Sequence, residues 1–364
     1  VKVLVAPDKF KGSLTAAEVA SAVASGLADG HPGVAVTTLP VADGGEGTVA
    51  AAVAAGFRRV RVPARGPTGR PLTASYAVRG DTAVVELAET SGLHRLPAGP
   101  APLTASSAGT GDVIAAAVRG GCRRIVLGVG GSACTDGGAG MLTALGARLL
   151  DDAGRELPPG GAALSRLASL DLTGLSEVDI ELACDVDNPL CGPRGAASVY
   201  GPQKGASPGD VEALDAALRH WASIAGPEFA SRPGAGAAGG VGFAALAVLG
   251  ARMRPGIDLL LDLLGFGAAV AGADLVITGE GSLDRQTLSG KAPAGVARAA
   301  AAGGVPCVAV SGRCLLSPVE LAEAGIAAGY ALTDLEPDPA RCMAEAGPLL
   351  RRLACRVAAD HLAF

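Results

Sequence analysis

Short apolar runs that break off in glycine and acid, each followed by an alanine-rich stretch, recur along the chain and limit its fold more than any other feature. The first is VKVLVAPD, which ends in Asp8 and Lys9 ahead of a helix-like segment near 15–28. The second is VAVTTLPVADGGEGTVAAAVAA, with Asp43, Gly44, Gly45 and Glu46 between strand and helix. A strand that passes through a glycine turn into a helix is a βα unit, the crossover that parallel strands require. The rhythm returns after residue 273 in DLVITGEG, VPCVAVSG and AGYALTDL, each with a helical stretch behind it. Both ends of the chain therefore read as one discontinuous parallel α/β domain, covering 1–65 and 273–364, with FRRVRVP as its third strand. Residues 66–272 read as a second α/β domain inserted into it.

The middle has a different texture. LTASYAV and TAVVELA alternate around Arg79-Gly80-Asp81 as an antiparallel hairpin does, and DDAG at 151–154 marks a second hairpin. Apolar spacing predicts helices over 209–224, 241–251 and 257–270.

A chain of 364 residues exceeds what one core usually serves, and 49% hydrophobic against 18% charged residues excludes a disordered protein. The formal charge of −5 gives no electrostatic reason to expect nucleic acid or an anionic membrane as partner. The apolar stretch 237–251 is short and studded with glycine, so it cannot span a bilayer. The first residues read as a strand rather than a secretory signal, and a cytoplasmic protein is expected. The eight cysteines form no C-x-x-C pair, which suits buried thiols better than zinc or disulfides.

Chemistry points first to IVLGVGGSACTDGGAG at 125–140, an apolar run that ends in six glycines interleaved with Ser132, Thr135 and Asp136. Such a turn lets main-chain N–H groups approach an anion, and the helix behind it adds its positive end. It is no Walker loop: at SGK, 289–291, Arg285 stands where the first glycine belongs and Ala292 where Ser or Thr should follow. GVGGSA at 128–133 does satisfy a dinucleotide fingerprint, with Asp151 as its acid, so a nicotinamide-dependent dehydrogenase stays open, as does a non-catalytic nucleotide-binding module. Asp8, Asp43, Glu46, Asp136, Asp185, Asp187, Glu280 and Asp284 all lie in loops after apolar runs. Acids beside phosphate-binding glycines imply magnesium, held by one or two carboxylates plus substrate phosphates. Lys11, Lys204 and Lys291 would supply positive charge. Capping and turn formation explain any one of these acids on its own.

Nine blocks together resemble the bacterial glycerate kinase family, the type that is neither P-loop nor actin-like. They are APDKFKGSLTA (6–16), PVADGGEGT (40–48), ELAETSGL (86–93), AGTGDVI (108–114), GVGGSACTDGGAGMLTALG (128–146), CDVDNPLCGPRGAA (184–197), GPQKGA (201–206), GAGAAGG (234–240) and TGEGSLDRQTLSGKAPAGVA (278–297). Thr135 and Asp112 depart from the family's usual Asn and Glu. The resemblance implies ATP- and magnesium-dependent phosphorylation of D-glycerate to 2-phosphoglycerate. It also implies two α/β domains, the discontinuous one flavodoxin- or Rossmann-like, with the active-site cleft between them. On this basis Asp187 is expected to accept the hydroxyl proton, with Asp8, Lys11 and Lys291 also at the chemistry. Asp136 and Asp185 are expected on magnesium. The glycines of 128–140 and 234–240, among them Gly130, Gly131, Gly236 and Gly239, would cradle the triphosphate. Asp43, Glu46, Ser132, Asn188, Lys204, Glu280 and Asp284 complete the expected substrate and nucleotide contacts. The central loop would face Asp187 and Lys291. Self-association is left open.

Overall fold

The computed structural model describes residues 1–288 and 290–362; Ser289 of the SGK segment lies outside them. Among the described residues the strands in chain order are β1 (Lys2–Pro7), β2 (Ala35–Thr38), β3 (Arg58–Arg65), β4 (Pro71–Arg79), β5 (Thr82–Glu86), β6 (Arg124–Gly128), β7 (Arg148–Leu150), β8 (Ser169–Asp171), β9 (Asp179–Ala183), β10 (Arg252–Arg254), β11 (Leu275–Leu283), β12 (Cys307–Cys314) and β13 (Ala328–Ala331). The chain is of the α/β class, in two compact units: residues 1–43, 50–56 and 257–364, and residues 44–49 and 57–256.

In the first unit five parallel strands run in the order β13-β12-β11-β1-β2. Val3, Val5, Leu275, Ile277, Val308 and Val310 share one core with the helices Ala16–Gly30 and Ala346–His361. Their neighbours Leu4, Val276 and Ala309, on the other face of the pleat, are buried too, as two-sided burial of a parallel sheet demands. The helix Ala16–Gly30 opens on a full capping box between Thr15 and Glu18. It then presses against Ala346–His361 so closely that a Cβ on Gly26 would lie 2.1 Å from the Arg351 carbonyl oxygen. From β1 the chain moves outward to β2, whereas from β11 it moves the opposite way through β12 to β13. The carboxyl ends of β1 and β11 are thus a topological switch point, where open α/β sheets bind their ligands.

The second unit holds a six-stranded sheet, β10-β9-β6-β5-β4-β3, parallel from β10 to β5 and antiparallel beyond. The hairpin about Gly80 is formed by β4 and β5, with Arg79 opposite Thr82. At 151–154 the chain turns back as expected, with the Asp151 N–H donating to the Arg155 carbonyl at 2.9 Å.

Three segments fall on other sides than the sequence rhythm suggests: residues 44–49, expected in the parallel domain, group with the second unit, and two longer stretches also change place. FRRVRVP, expected in the parallel domain, forms β3, which pairs antiparallel with β4 across Val60–Tyr76 and Val62–Ala74. Its alternation of arginine and valine suits a half-solvated edge strand rather than a doubly covered parallel one. Residues 257–270, expected in the insert, pack with the first unit, where Ile257 occupies the space left by the missing side chain of Gly295. All eight cysteines are free thiols. Among the described residues no helix is long and apolar enough to cross a membrane.

Candidate functional site

In the second unit, the turn after β6 is built from glycines because other main chains occupy the places of their side chains. A Cβ on Gly128 would lie 2.4 Å from the Gly44 carbonyl oxygen, and one on Gly130 would lie 2.6 Å from the Gly45 Cα. The Gly130 N–H donates to the Gly44 carbonyl at 3.1 Å. The segment 44–49, which carries exposed Glu46, is thereby laid along the end of β6. Glu86, the buried last residue of β5, accepts the N–H groups of Gly47 and Val49, each at 3.1 Å, and fixes that segment from behind. Glu86 was not among the expected site residues, although it closes the apolar run TAVVE and opens the block ELAETSGL.

Beyond Gly131, in the left-handed region with φ +73°, the loop is stitched by two fully buried charges. Asp136 Oδ2 accepts from the Ser107 N–H (2.7 Å), the Ser107 hydroxyl (2.9 Å), the Ser106 hydroxyl (3.3 Å) and the Gly140 N–H (3.2 Å), while Oδ1 accepts from the Gly138 N–H (3.1 Å). Five donors tie this buried carboxylate into the loop and the start of the helix Ala139–Ala144. Lys204, at 1% exposure, donates to the Ser132 hydroxyl oxygen at 2.9 Å and the Cys134 carbonyl at 2.5 Å. Burial pushes its ammonium below the ordinary lysine range, and the nearby Cys134 and Asp136 oppose that shift. Neither side chain meets solvent, so both act from within.

The other glycine segment locks into the first. The Gly137 N–H donates to the Gly239 carbonyl at 2.9 Å, and a Cβ on Gly239 would lie 2.1 Å from the Cys134 carbonyl oxygen. Ala238, Gly239 and Gly240 form three consecutive left-handed residues, with Ala238 at φ 51°. The Gly236 N–H donates to the Asn188 carbonyl at 2.9 Å. Asn188 turns its side chain inward: its amide donates to the Arg194 carbonyl at 2.8 Å and accepts the Tyr200 hydroxyl at 2.6 Å. Gly130, Gly131, Ser132, Asp136, Asn188, Lys204, Gly236 and Gly239 are thus gathered in one unit. Asp185 and Asp187 stand exposed in the loop after β9. The Asp185 carboxylate accepts the Gly256 N–H at 2.7 Å, and Asp187 pairs with the Arg194 guanidinium at 3.2 Å. Arg194, which lies within CDVDNPLCGPRGAA, was not among the expected site residues.

In the first unit, Asp8 follows β1 and Glu280 lies in β11, at the switch point. Burial chiefly, then the charges of Asp43 and Glu280, lift the Asp8 carboxyl from 3.8 to about 7 against the pull of Lys9. Burial also raises Glu280, against the Thr287 hydroxyl and Lys291. Lys291 donates to the Gln286 side chain at 2.9 Å. Asp284 accepts the Gln286 N–H at 2.8 Å, which is a cap on the turn 285–288. Lys11 is exposed, its main chain against Gly281. Thr287 and Gln286, which hold Glu280 and Lys291, also went unpredicted; only their place in a glycine-rich block marks them.

The dehydrogenase reading needs a second parallel strand that ends in Asp151. Instead β7 pairs antiparallel with β8 in a separate two-stranded sheet, and the Asp151 carboxylate is spent on the N–H groups of its own turn. Among the described residues no three His, Cys, Asp or Glu side chains form a ready cage for a metal ion.

Glycine loops interlocked in one unit and a carboxylate cluster at the sheet switch point of the other do not match the dinucleotide site of an oxidoreductase. Residues 3–362 match the model of the glycerate kinase family. The chain is 48% identical over 324 residues to the glycerate kinase of Bacillus subtilis (strain 168), which covers 86% of this chain and 85% of that protein. It is 43% identical over 325 residues to the glycerate 2-kinase of Escherichia coli (strain K12), at 86% and 85% coverage. A crystal structure from Salmonella typhimurium LT2, named as a glycerate kinase 2, superposes with a TM-score of 0.86 at 42% identity, covering 99% of this chain and 98% of that one. The chain belongs to the glycerate kinase family and is an enzyme of the phosphotransferase class.

Proposed function

We propose that the enzyme transfers the γ-phosphoryl group of ATP to D-glycerate, giving 2-phosphoglycerate and ADP. The observation that carries this reading is the match to a glycerate 2-kinase over 86% of the chain, joined to the closely packed glycine loops after β6 and about Gly239. Phosphoryl transfer asks for positioning and charge neutralisation more than for covalent chemistry. Magnesium bound by one or two carboxylates plus substrate phosphates needs no preformed cage, and exposed Asp185 suits that role, whereas Asp136 does not. When bound, the ion would neutralise charge on the phosphates. Lys11 and Lys291 are assigned to the anionic groups of the substrates.

Sequence reasoning favoured Asp187 as the group that takes the hydroxyl proton. Asp187 is exposed and paired with Arg194, whereas burial chiefly lifts Asp8 to about 7 at the switch point of its sheet, so the role is assigned to Asp8. The test is an ADP-forming assay across a panel of hydroxy acids, with enolase added directly to the product. Glycerate-dependent ADP formation that stops on magnesium chelation, with a product enolase accepts without a mutase, is expected. Inactivity on every acid would overturn the kinase reading, and a product that requires the mutase would move transfer to the other hydroxyl.

A further inference from the structure

Lys204 donates to Ser132, and that fact settles what the serine can do. A lysine ammonium has three hydrogens and no acceptor, so the Ser132 oxygen is the acceptor of their 2.9 Å bond. The serine's own hydrogen must then point elsewhere, and no other protein partner of this hydroxyl occurs among the described residues. Ser132 is only 7% exposed, two residues past Gly130, where the main chain is closely packed against Gly44 and Gly45. An unspent donor, nine-tenths buried on a glycine loop and polarised by a cation behind it, is suited to an anionic oxygen. The Cys134 carbonyl takes a second hydrogen of Lys204 and fixes the ammonium in place.

The geometry points to Lys204 as a positioning residue that acts through Ser132: it turns and polarises the serine hydroxyl as a donor to a nucleotide phosphate, without touching the nucleotide itself. This rests on the reading that the loop holds the phosphates of ATP, and it changes the role expected for Lys204 from clamp to support. A fully buried ammonium also adds fixed positive potential beneath the loop, without the reorganisation that a solvated side chain would need.

The test is calorimetric binding of ATP, ADP and adenosine to the intact enzyme, with melting curves for each variant. Ser132→Ala should weaken ATP and ADP by 10-fold or more, the scale of a lost bond to a charged group, and leave adenosine within about 2-fold. Lys204→Met should do the same, and the double variant should bind ATP no worse than about 2-fold below Lys204→Met alone. If Ser132→Ala binds ATP as the wild type does, or loses adenosine equally, the inference fails while the kinase reading stands. If the two losses multiply in the double variant, Lys204 does not act through Ser132. If Lys204→Met does not fold, Ser132→Ala alone decides. Wild-type enzyme that binds no ATP would instead overturn the reading of the loop.

Discussion

Replacing Asp8 by Asn should make the protein more stable and less active, and both effects follow from one displaced titration. In the folded chain burial and the charges of Asp43 and Glu280 lift the Asp8 carboxyl from 3.8 to about 7, so the native state holds this proton more tightly than the unfolded state does. Ionisation therefore opposes folding: the cost is absent at low pH, grows above pH 4 and is complete above pH 7. A shift of this size sets a ceiling of roughly 4 kcal/mol, and relaxation around a half-buried group leaves about 2 kcal/mol as a working value. Asparagine stays neutral at every pH and can still accept the Lys9 N–H that Asp8 accepts at 2.7 Å. Melting curves of the two proteins should differ at pH 8 by about 4–8 °C in favour of the variant, at roughly 2–4 °C per kcal/mol for a unit of this size. The gap should narrow steadily below pH 7 and nearly close by pH 4. Turnover on glycerate should fall about 100-fold, and the acidic limb of the wild-type pH profile, in which activity rises as Asp8 ionises near pH 7, should disappear. A gap that is the same at pH 8 and pH 5 would refute the electrostatic account, and unchanged turnover would refute the catalytic one.

Two further outcomes test the scaffold of the loops. Ala238→Gly removes the strain of a side chain in the left-handed region and should gain up to about 1 kcal/mol, whereas Gly239→Ala one residue on should cost more than about 3 kcal/mol, because its Cβ would meet the Cys134 carbonyl; urea titration measures both. Glu86→Gln keeps the shape but loses the charge that faces two N–H groups of the segment 44–49, and should cost about 1–2 kcal/mol in the same titration, with a parallel rise in the exchange rates of the Gly47 and Val49 amides.

What was legible in the sequence divides along a physical line. Strands and helices announce themselves by period, so the βα rhythm and the hairpin about Gly80 could be read directly, and β3 was misplaced only because its alternation was not used to separate an edge strand from a covered one. The glycines of the loop were legible as a tight turn for a related reason, since few needs other than close main-chain approach place six glycines in sixteen residues. Side-chain roles were less legible, because residue type reports charge and leaves direction unspecified. Asp136 and Lys204 look in sequence like a metal ligand and a phosphate clamp, yet five donors surround one and a serine and a carbonyl hold the other, all supplied by segments up to 72 residues away. Glu86, Ser106 and Ser107 escaped notice for the complementary reason: a buried polar residue at the end of an apolar run looks like punctuation until its partners are known. A glycine loop of this kind needs charges packed beneath it, since an isolated glycine turn carries too much conformational entropy to hold one shape. The buried ammonium and carboxylate supply that order through their bonds to Ser107, Gly138, Ser132 and the Cys134 carbonyl.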